Sequence, residues 1–194
     1  MGVILEALIV AGVILVVIIV AAIVIARWLV SVYNSLVELR NEATTALAQI
    51  DTEYQMRLDL IPALVKTVKG YATHEKSTLE AVIKARASAT QAVTQDSSFE
   101  ANEQLGSAIG RLLVSLEAYP ELQANRNFMD LQSQIEDLER RINLSRRYFN
   151  ESVRVYNTAQ QKFPANMVAK PFGHTGLSQW KARAEAENPP EFDF

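Results

Sequence analysis

The fold is decided by residues 125–163, NRNFMDLQSQIEDLERRINLSRRYFNESVRVYNTAQQKF. Large apolar residues recur there every seven residues, at Phe128, Ile135, Ile142, Phe149, Tyr156 and Phe163. A second series of the same period follows three residues later and changes from leucine to small residues: Leu131, Leu138, Ser145, Ser152 and Ala159. This spacing predicts one uninterrupted helix with a single apolar stripe, as in a coiled coil. Because such a helix cannot bury its stripe alone, other helices must pack along it.

The composition indicates an all-α protein. The chain of 194 residues has only seven glycines and six prolines, which is few for a sheet protein rich in turns. It has no cysteine, so disulfides and thiolate metal sites are excluded. The net charge of −3 gives no argument for nucleic-acid binding.

Residues Ala7–Ala26 carry no charged side chain and predict a transmembrane helix. About 20 apolar residues span a bilayer, and a lone strand there would leave its backbone groups unpaired. A cleaved signal peptide is the alternative, but no basic residue precedes the run. A buried core helix would need other apolar segments around it, which the chain lacks.

Basic residues on only one side of this segment predict its orientation. Arg27 and Arg40 follow it and none precedes it, so the positive-inside rule places the N-terminus outside and the rest of the chain in the cytoplasm. Trp28 and Tyr33 lie where interfacial aromatic residues are expected. We therefore expect a single-pass protein of the cell (inner or plasma) membrane.

A second pair of apolar series begins after this segment. Its members are Leu36, Ala43, Ile50, Arg57, Leu64 and Tyr71, with Leu47, Tyr54, Ile61 and Val68 between them. The spacing keeps its phase across Pro62, which predicts either a kink or a short break capped by Asp59. Gly70 is a natural end for this helix.

Two further helices are expected before the long one. The third covers residues 73–94 with Leu79, Val82, Ile83 and Val93, and a polar turn at 95–98 precedes the fourth. The fourth carries Leu105, Ile109, Leu112, Leu116 and Tyr119 on one face, ends at Tyr119–Pro120, and Asn125 can cap the long helix. Short connections predict antiparallel neighbours.

The predicted organisation has three parts. Residues 1–30 hold the short N-terminus and the transmembrane helix, residues 31–163 form an antiparallel bundle of long helices, and residues 164–194 form an irregular tail. Ser178 can cap a short helix through Glu187. The acidic, aromatic residues 191–194 either fold back across the bundle or dock on a partner.

The residues that catalysis would need do not form a known pattern. His74 and Glu75 suggest a zinc protease, but the second histidine of that motif would fall on Thr78. Neither histidine belongs to the Glu-x-x-His pair of a di-iron bundle. Glu136 and Glu139 are expected to be solvated. We therefore predict no enzymatic activity, no metal or other cofactor and no small-molecule substrate.

Arg57 is the most informative single residue because it occupies an apolar-stripe position. A buried arginine needs a carboxylate or several carbonyl groups as partners. It can pair inside the bundle, with Asp59 or with an acid on the long helix. Alternatively, Arg57 with Asp59 and Pro62 marks a surface that a partner binds, and Tyr71 and His74 complete this candidate site.

The charges of the long helix change from acidic to basic along its length. If the helices alternate in direction, its basic half returns towards the bilayer, and Arg146, Arg147 and Arg154 lie near anionic headgroups. In the alternative, these cations complement the helix dipole and neighbouring acids.

Several segments of the chain resemble the LemA family. They are Tyr33–Val37, Leu39–Asn41, Arg57, Asp59–Pro62, Val68–Tyr71, His74–Glu75, Ala85–Arg86, Ala118–Leu122, Phe128, Ile142, Tyr156–Asn157 and Phe163–Pro164. Ala63 departs from the family pattern, which usually has asparagine after the proline. The resemblance implies an N-terminal membrane anchor, a cytoplasmic helical domain and no established catalytic activity. It also implies association with membrane-protein quality control near HtpX-type proteases or, in one branch, with magnetosome membranes.

Two functions of different kinds remain open. The first is a non-enzymatic scaffold or adaptor that holds partners, such as a membrane protease, at the lipid bilayer. The second is a structural protein that forms homo-oligomers and organises or shapes the membrane.

Overall fold

The computed structural model describes residues 2–71 and 75–180, without the side chains of residues 3–5 and 7. Its elements are α1 (Gly2–Lys69), α2 (Lys76–Gln91), α3 (Gln95–Leu116), α4 (Pro120–Gln123), α5 (Arg126–Gln161) and α6 (Asn166–Ala169). No strand occurs in these described ranges, and the predicted all-α class is confirmed.

The helix α1 is a single helix that contains Pro62. The alternative of a short break capped by Asp59 is therefore wrong. The Asp59 carboxylate instead accepts a hydrogen bond from Gln55 Nε2 at 2.8 Å. Proline has no N–H for the carbonyl group four residues earlier, which is that of Leu58. Arg86 Nε of α2 donates to this Leu58 oxygen at 3.1 Å, so the acceptor that Pro62 leaves unpaired is satisfied.

The apolar part of α1 is exposed over its whole length. The large hydrophobic side chains from Leu8 to Ile25 are all exposed, and this helix alone, in the part of the chain that the structure describes, is long and apolar enough to cross a membrane. An exposed apolar helix of this length is compatible with a membrane anchor.

The helices α2 and α3 form a hairpin joined by a short extended connection. The backbone is extended at Ala92 and at Thr94, so α2 ends earlier than the predicted Thr94. Val93, expected in the apolar face, is 94% exposed because it lies in this connection. The Thr94 side chain and Ser97 form a reciprocal capping box at the start of α3.

Two local signals determine the start of α5. Pro120 begins the one-turn helix α4, as proline favours the first helical position. Asn125 Oδ1 then accepts the backbone N–H of Phe128 at 3.1 Å, as expected for a helix cap. The stripe residues Phe128, Ile135 and Ile142 are buried. Phe163 is 79% exposed, because α5 ends before it.

The chain divides into two compact units. Unit one comprises Met1–Ala43 and Ser152–Ser178, and unit two comprises Thr44–Glu151 and Gln179–Phe194. The main apolar core lies in unit two and includes Ile61, Leu64, Val82, Leu105, Leu112, Leu122 and Phe128. The division predicted at residues 30 and 163 stays a prediction.

The C-terminal region is mostly irregular. After α6 the chain has turns and then no regular structure as far as Trp180. Ser178–Trp180 are not helical, so the predicted helix does not begin at Ser178. Its continuation to Glu187 and the acidic tail lie outside the described residues.

Candidate functional site: buried polar side chains of unit two

Arg57 is fully enclosed, with 1% of its surface exposed. Its Nη1 donates to Glu139 Oε1 of α5 at 2.7 Å. Its Nη2 donates to two oxygens of Asn102 in α3, the backbone oxygen at 2.6 Å and Oδ1 at 2.9 Å. One guanidinium therefore joins three helices, and the carboxylate partner is the acid on the long helix rather than Asp59. Of the two acids expected to be solvated, Glu136 is exposed, whereas Glu139 is paired with Arg57 and its side chain is only 33% exposed.

Gly106 makes room for this guanidinium. A Cβ atom at this position would lie 3.2 Å from Arg57 Nη1 and 3.7 Å from Glu139 Oε2. One turn later, a Cβ atom on Gly110 would meet nothing within 4 Å. The absence of a side chain at Gly106 is therefore matched to the planar head group of Arg57.

A second arginine lies between two aromatic rings. Nε and Nη2 of Arg146 donate to the Tyr54 hydroxyl at 3.0 and 2.8 Å. The guanidinium carbon lies 4.5 Å from the centre of the Trp180 ring and 5.5 Å from that of Tyr54. Such stacking is favourable for a partly desolvated arginine. Burial raises the pKa of the Tyr54 hydroxyl, while Arg146 and Arg57 act in the opposite direction.

Glu53 is a buried carboxylate that is only half satisfied. Its Oε1 accepts hydrogen bonds from Gln49 Nε2 at 3.2 Å and from Ser145 Oγ at 3.1 Å. Its Oε2 is buried without a hydrogen-bond partner in the described part of the chain. Beside it a groove between α1 and α5 is lined by Thr45, Ala46, Gln49, Leu144, Ser145 and Tyr148.

The predicted partner-binding residues do not form one cluster. Arg57 is buried, whereas Asp59 and Pro62 are exposed on α1. The hydroxyl of Tyr71, which is 42% exposed, accepts a hydrogen bond from Asn125 Nδ2 at 2.9 Å. His74 lies outside the described residues. Asp59, Pro62 and Tyr71 thus remain a candidate surface, whereas Arg57 is buried and bonded inside unit two.

The predicted headgroup-binding residues have different environments. Arg146 is 9% exposed and its guanidinium is used inside unit two, which removes it from the lipid-facing set. Arg147 and Arg154 are exposed on α5, and their proximity to a membrane stays a prediction.

In unit one, aromatic residues meet around His174. The Tyr33 ring centre lies 5.2 Å from that of Phe172 and 5.7 Å from that of His174. The Tyr156 hydroxyl lies 3.1 Å from His174 Nδ1, and burial raises the pKa of this tyrosine. Tyr33, predicted as an interfacial residue, therefore also packs against the C-terminal region.

Several of these residues were not predicted from the sequence. Glu53 lies three residues after Ile50 and seven after Ala46, so its stripe position was a readable signal. A second readable signal was the recurrence of asparagine every seven residues, at Asn143, Asn150 and Asn157. Asn102 and Trp180 had no comparable signal. Among the described residues, no group of three or more histidine and acidic side chains is placed to hold a metal ion.

Comparison with known proteins identifies the family. A model of the LemA family matches residues 46–194. Magnetosome protein MamQ of Magnetospirillum gryphiswaldense is 24% identical over 183 residues, which cover 81% of this chain and 67% of the relative. Protein LemA of Metamycoplasma hominis is 25% identical over 138 residues, 71% of this chain and 63% of the relative, so the chain spans less than two thirds of that protein. With three quarters of its length matched by the family model, this chain belongs to the LemA family.

Proposed function

We propose that this protein is a membrane-anchored, non-enzymatic helical scaffold that holds partner proteins at the lipid bilayer. The main support is that α1 is one uninterrupted helix. It contains both the exposed apolar segment and the apolar stripe that includes Arg57. In this proposal the exposed apolar segment lies in the bilayer, and the same helix continues into the helical domain.

The buried polar contacts of unit two support a scaffold. Arg57 donates hydrogen bonds to Glu139 and to Asn102, which joins three helices, and Arg146 donates to Tyr54. Buried polar pairs of this kind specify the register of packed helices. A fixed register keeps the outer helix faces in a constant arrangement, which a docking partner needs.

The partner we propose is a protease of membrane-protein quality control, bound through the surface around Asp59 and Pro62. The chain has no cysteine, so a single thiol can be introduced by Asp59→Cys. A thiol-directed photocrosslinker in native membranes should then capture a membrane protein. Glu117→Cys, at another exposed acid of unit two, is the matched control. Identical captures from both positions would contradict this docking surface.

The same variant tests the proposed topology, with the N-terminus outside and the helical domain in the cytoplasm. In intact cells Asp59→Cys should resist a membrane-impermeant maleimide and react only after lysis. Labelling in intact cells would show the opposite orientation and contradict this topology.

Self-association is the second candidate function, and the groove beside Glu53 favours it. Leu144 at its rim is 63% exposed, and the buried Glu53 Oε2 has no partner within the described residues. A second copy packed in this groove would cover the leucine. One relative carries the name of a magnetosome protein, which fits a role in organising membrane.

The mass of the full chain in detergent, measured by light scattering, separates the two candidates. A membrane-organising protein should form large, defined oligomers that Leu144→Glu dissociates, because the charge would be buried in the contact. Val114→Glu is the control, since Val114 is 66% exposed on α3. A small, uniform species unaffected by either change would exclude self-association and support the scaffold function.

A further inference from the structure

Unit one has a second exposed apolar surface besides the apolar part of α1, in the region that follows α5. Phe163 is 79% exposed, Met167 is 66% exposed and Phe172 is 64% exposed. All three belong to unit one. A single exposed apolar side chain is ordinary, but several large ones in one short segment indicate a surface that binds a protein or a membrane.

The helix α6 holds its outward side chains in place through a packed inner side. Val168 and Ala169 are buried, whereas Met167 and Lys170 are exposed. The N–H of Ala169 donates to the carbonyl oxygen of Ala165 at 2.9 Å, which closes the helical turn. Met167 therefore cannot turn inward without displacing side chains that are already buried.

The same segment is basic. No aspartate or glutamate occurs from Ser152 to Trp180. Lys162 and Lys170 lie on either side of Met167 in the chain and are exposed, and neither forms an ion pair with another described residue. Lysine is depleted in protein–protein interfaces. Exposed apolar side chains between lysines are instead typical of segments that lie in the headgroup region of anionic lipids.

Phe172 places this segment beside the apolar part of α1. Its ring centre lies 5.2 Å from that of Tyr33. Helix α1 stays apolar as far as Val30 except at Arg27, whose long side chain can extend to the headgroups. Tyr33 follows Val30 by three residues, a rise of about 4.5 Å, and the headgroup region is roughly 5–7 Å deep on each side of the hydrocarbon core. An α1 span that ends near Val30 therefore brings Tyr33 and Phe172 to the depth of the headgroups.

We propose that residues 162–172, the interfacial segment, are a second membrane-binding element; this rests on the membrane anchor proposed for α1. Phe163, Met167 and Phe172 lie at the boundary between headgroups and acyl chains, and Lys162 and Lys170 contact the phosphate groups of anionic lipids. A single transmembrane helix can rotate about its own axis. The second contact fixes this rotation, so that unit one presents one constant side to the membrane.

Depth-dependent fluorescence quenching tests the interfacial segment. The chain has no cysteine, so Met167→Cys provides a single site for an environment-sensitive fluorophore. The full chain is reconstituted in nanodiscs that each hold one copy and contain phosphatidylcholine with phosphatidylglycerol. Lipids that are spin-labelled near the headgroup should quench the fluorophore at residue 167, and its emission should shift to shorter wavelength than in water.

Two other sites of unit one calibrate the measurement. Val24→Cys, in the exposed apolar part of α1, should be quenched by lipids that are spin-labelled deep in the acyl chain. Glu38→Cys should not be quenched, because this exposed residue follows Ala26 by twelve residues, about 18 Å along the helix. An unquenched Val24 site would overturn the α1 anchor and the interfacial segment together. A quenched Val24 site with an unquenched Met167 site would overturn the interfacial segment alone.

The charge of the lipid tests the role of the two lysines. Quenching at residue 167 should weaken in phosphatidylcholine alone, and it should weaken in the same way when Lys162→Gln and Lys170→Gln are combined. The matched control combines Lys66→Gln and Lys84→Gln, at two exposed lysines of unit two, and should change nothing. Quenching that depends on neither the lipid charge nor the two lysines would overturn the headgroup contact.

A second copy of the chain is the competing occupant of this surface. Water-soluble iodide should quench the fluorophore at residue 167 only weakly in nanodiscs that hold one copy. Shielding from iodide that appears only when a nanodisc holds two copies would overturn the proposal, because the second chain would then cover the segment.

Discussion

Arg86 Nε lies 3.1 Å from the carbonyl oxygen of Leu58. This oxygen receives no backbone hydrogen bond from residue 62, because proline has no N–H. A proline inside a helix removes one hydrogen bond and ordinarily kinks or breaks the helix. Here a side chain from α2 supplies the missing donor, so α1 continues through the proline. The contact also ties α2 to a fixed position along α1.

Removal of the Arg86 guanidinium should therefore destabilise the protein. We expect Arg86→Ala to lower the free energy of unfolding by about 1–2 kcal/mol, since a backbone acceptor loses a charged donor. Thermal unfolding of the full chain in detergent, followed by circular dichroism, measures this. Arg111→Ala, at an exposed arginine of α3, should change it by less than about 0.5 kcal/mol.

The same contact predicts coupling with Pro62. In a Pro62→Ala background, residue 62 regains an N–H for the Leu58 oxygen, so Arg86→Ala should cost clearly less. A double-mutant cycle over the four proteins measures the difference. Strict additivity would mean that Arg86 does not replace the bond lost at the proline.

Gly106 and Gly110 should respond in opposite ways to alanine. Alanine normally stabilises a helix by about 0.5–1 kcal/mol relative to glycine. Gly110→Ala should gain this amount because its Cβ meets nothing within 4 Å. Gly106→Ala should lose stability, since its Cβ would press on Arg57 at 3.2 Å. Equal stabilisation by both changes, measured by chemical denaturation, would refute the close fit.

Arg57→Lys should be more damaging than its conservative nature suggests. A lysine ammonium group cannot reach Glu139 and both Asn102 oxygens in the planar geometry of the guanidinium. We expect a loss of about 3 kcal/mol, typical of a buried pair that loses one partner. Arg141→Lys, at an exposed arginine of α5, is the control and should be nearly neutral. Chemical denaturation of both variants in the same detergent decides the point.

Tyr54 should make stability depend on alkaline pH. Burial raises its pKa above the ordinary 10.0, against the opposing effect of Arg146. The folded state thus keeps the proton to higher pH than the unfolded chain. This contribution is complete below pH about 10 and is lost as the pH rises through the folded-state pKa.

Tyr54→Phe is the variant that isolates this effect. At neutral pH it should cost about 1–2 kcal/mol, because Arg146 loses a buried acceptor. Between pH 9 and pH 12, on the order of the tyrosine pKa range, its deficit relative to the unaltered chain should shrink. Melting curves across this range measure the trend, and a deficit that grew with pH would contradict it.

The sequence by itself determined where the helices lie and which faces they bury. The seven-residue spacing of Phe128, Ile135 and Ile142 marks a buried stripe, and the Asn125 cap is a local hydrogen bond. The exposed apolar segment of α1 is equally visible, because hydropathy is a property of each residue. Such features depend on neighbours within one or two turns, so the periodicity of the chain carries them.

Only the tertiary structure decided which polar residues meet. Arg57 needed a carboxylate, and either Asp59 or an acid on the long helix was expected; the register of α1 against α5 selected Glu139, 82 residues away. The pairing of Asn150 with Trp180, 30 residues apart, likewise depends on how the chain returns along α5. These contacts follow from the packing of the whole core, which no single segment encodes.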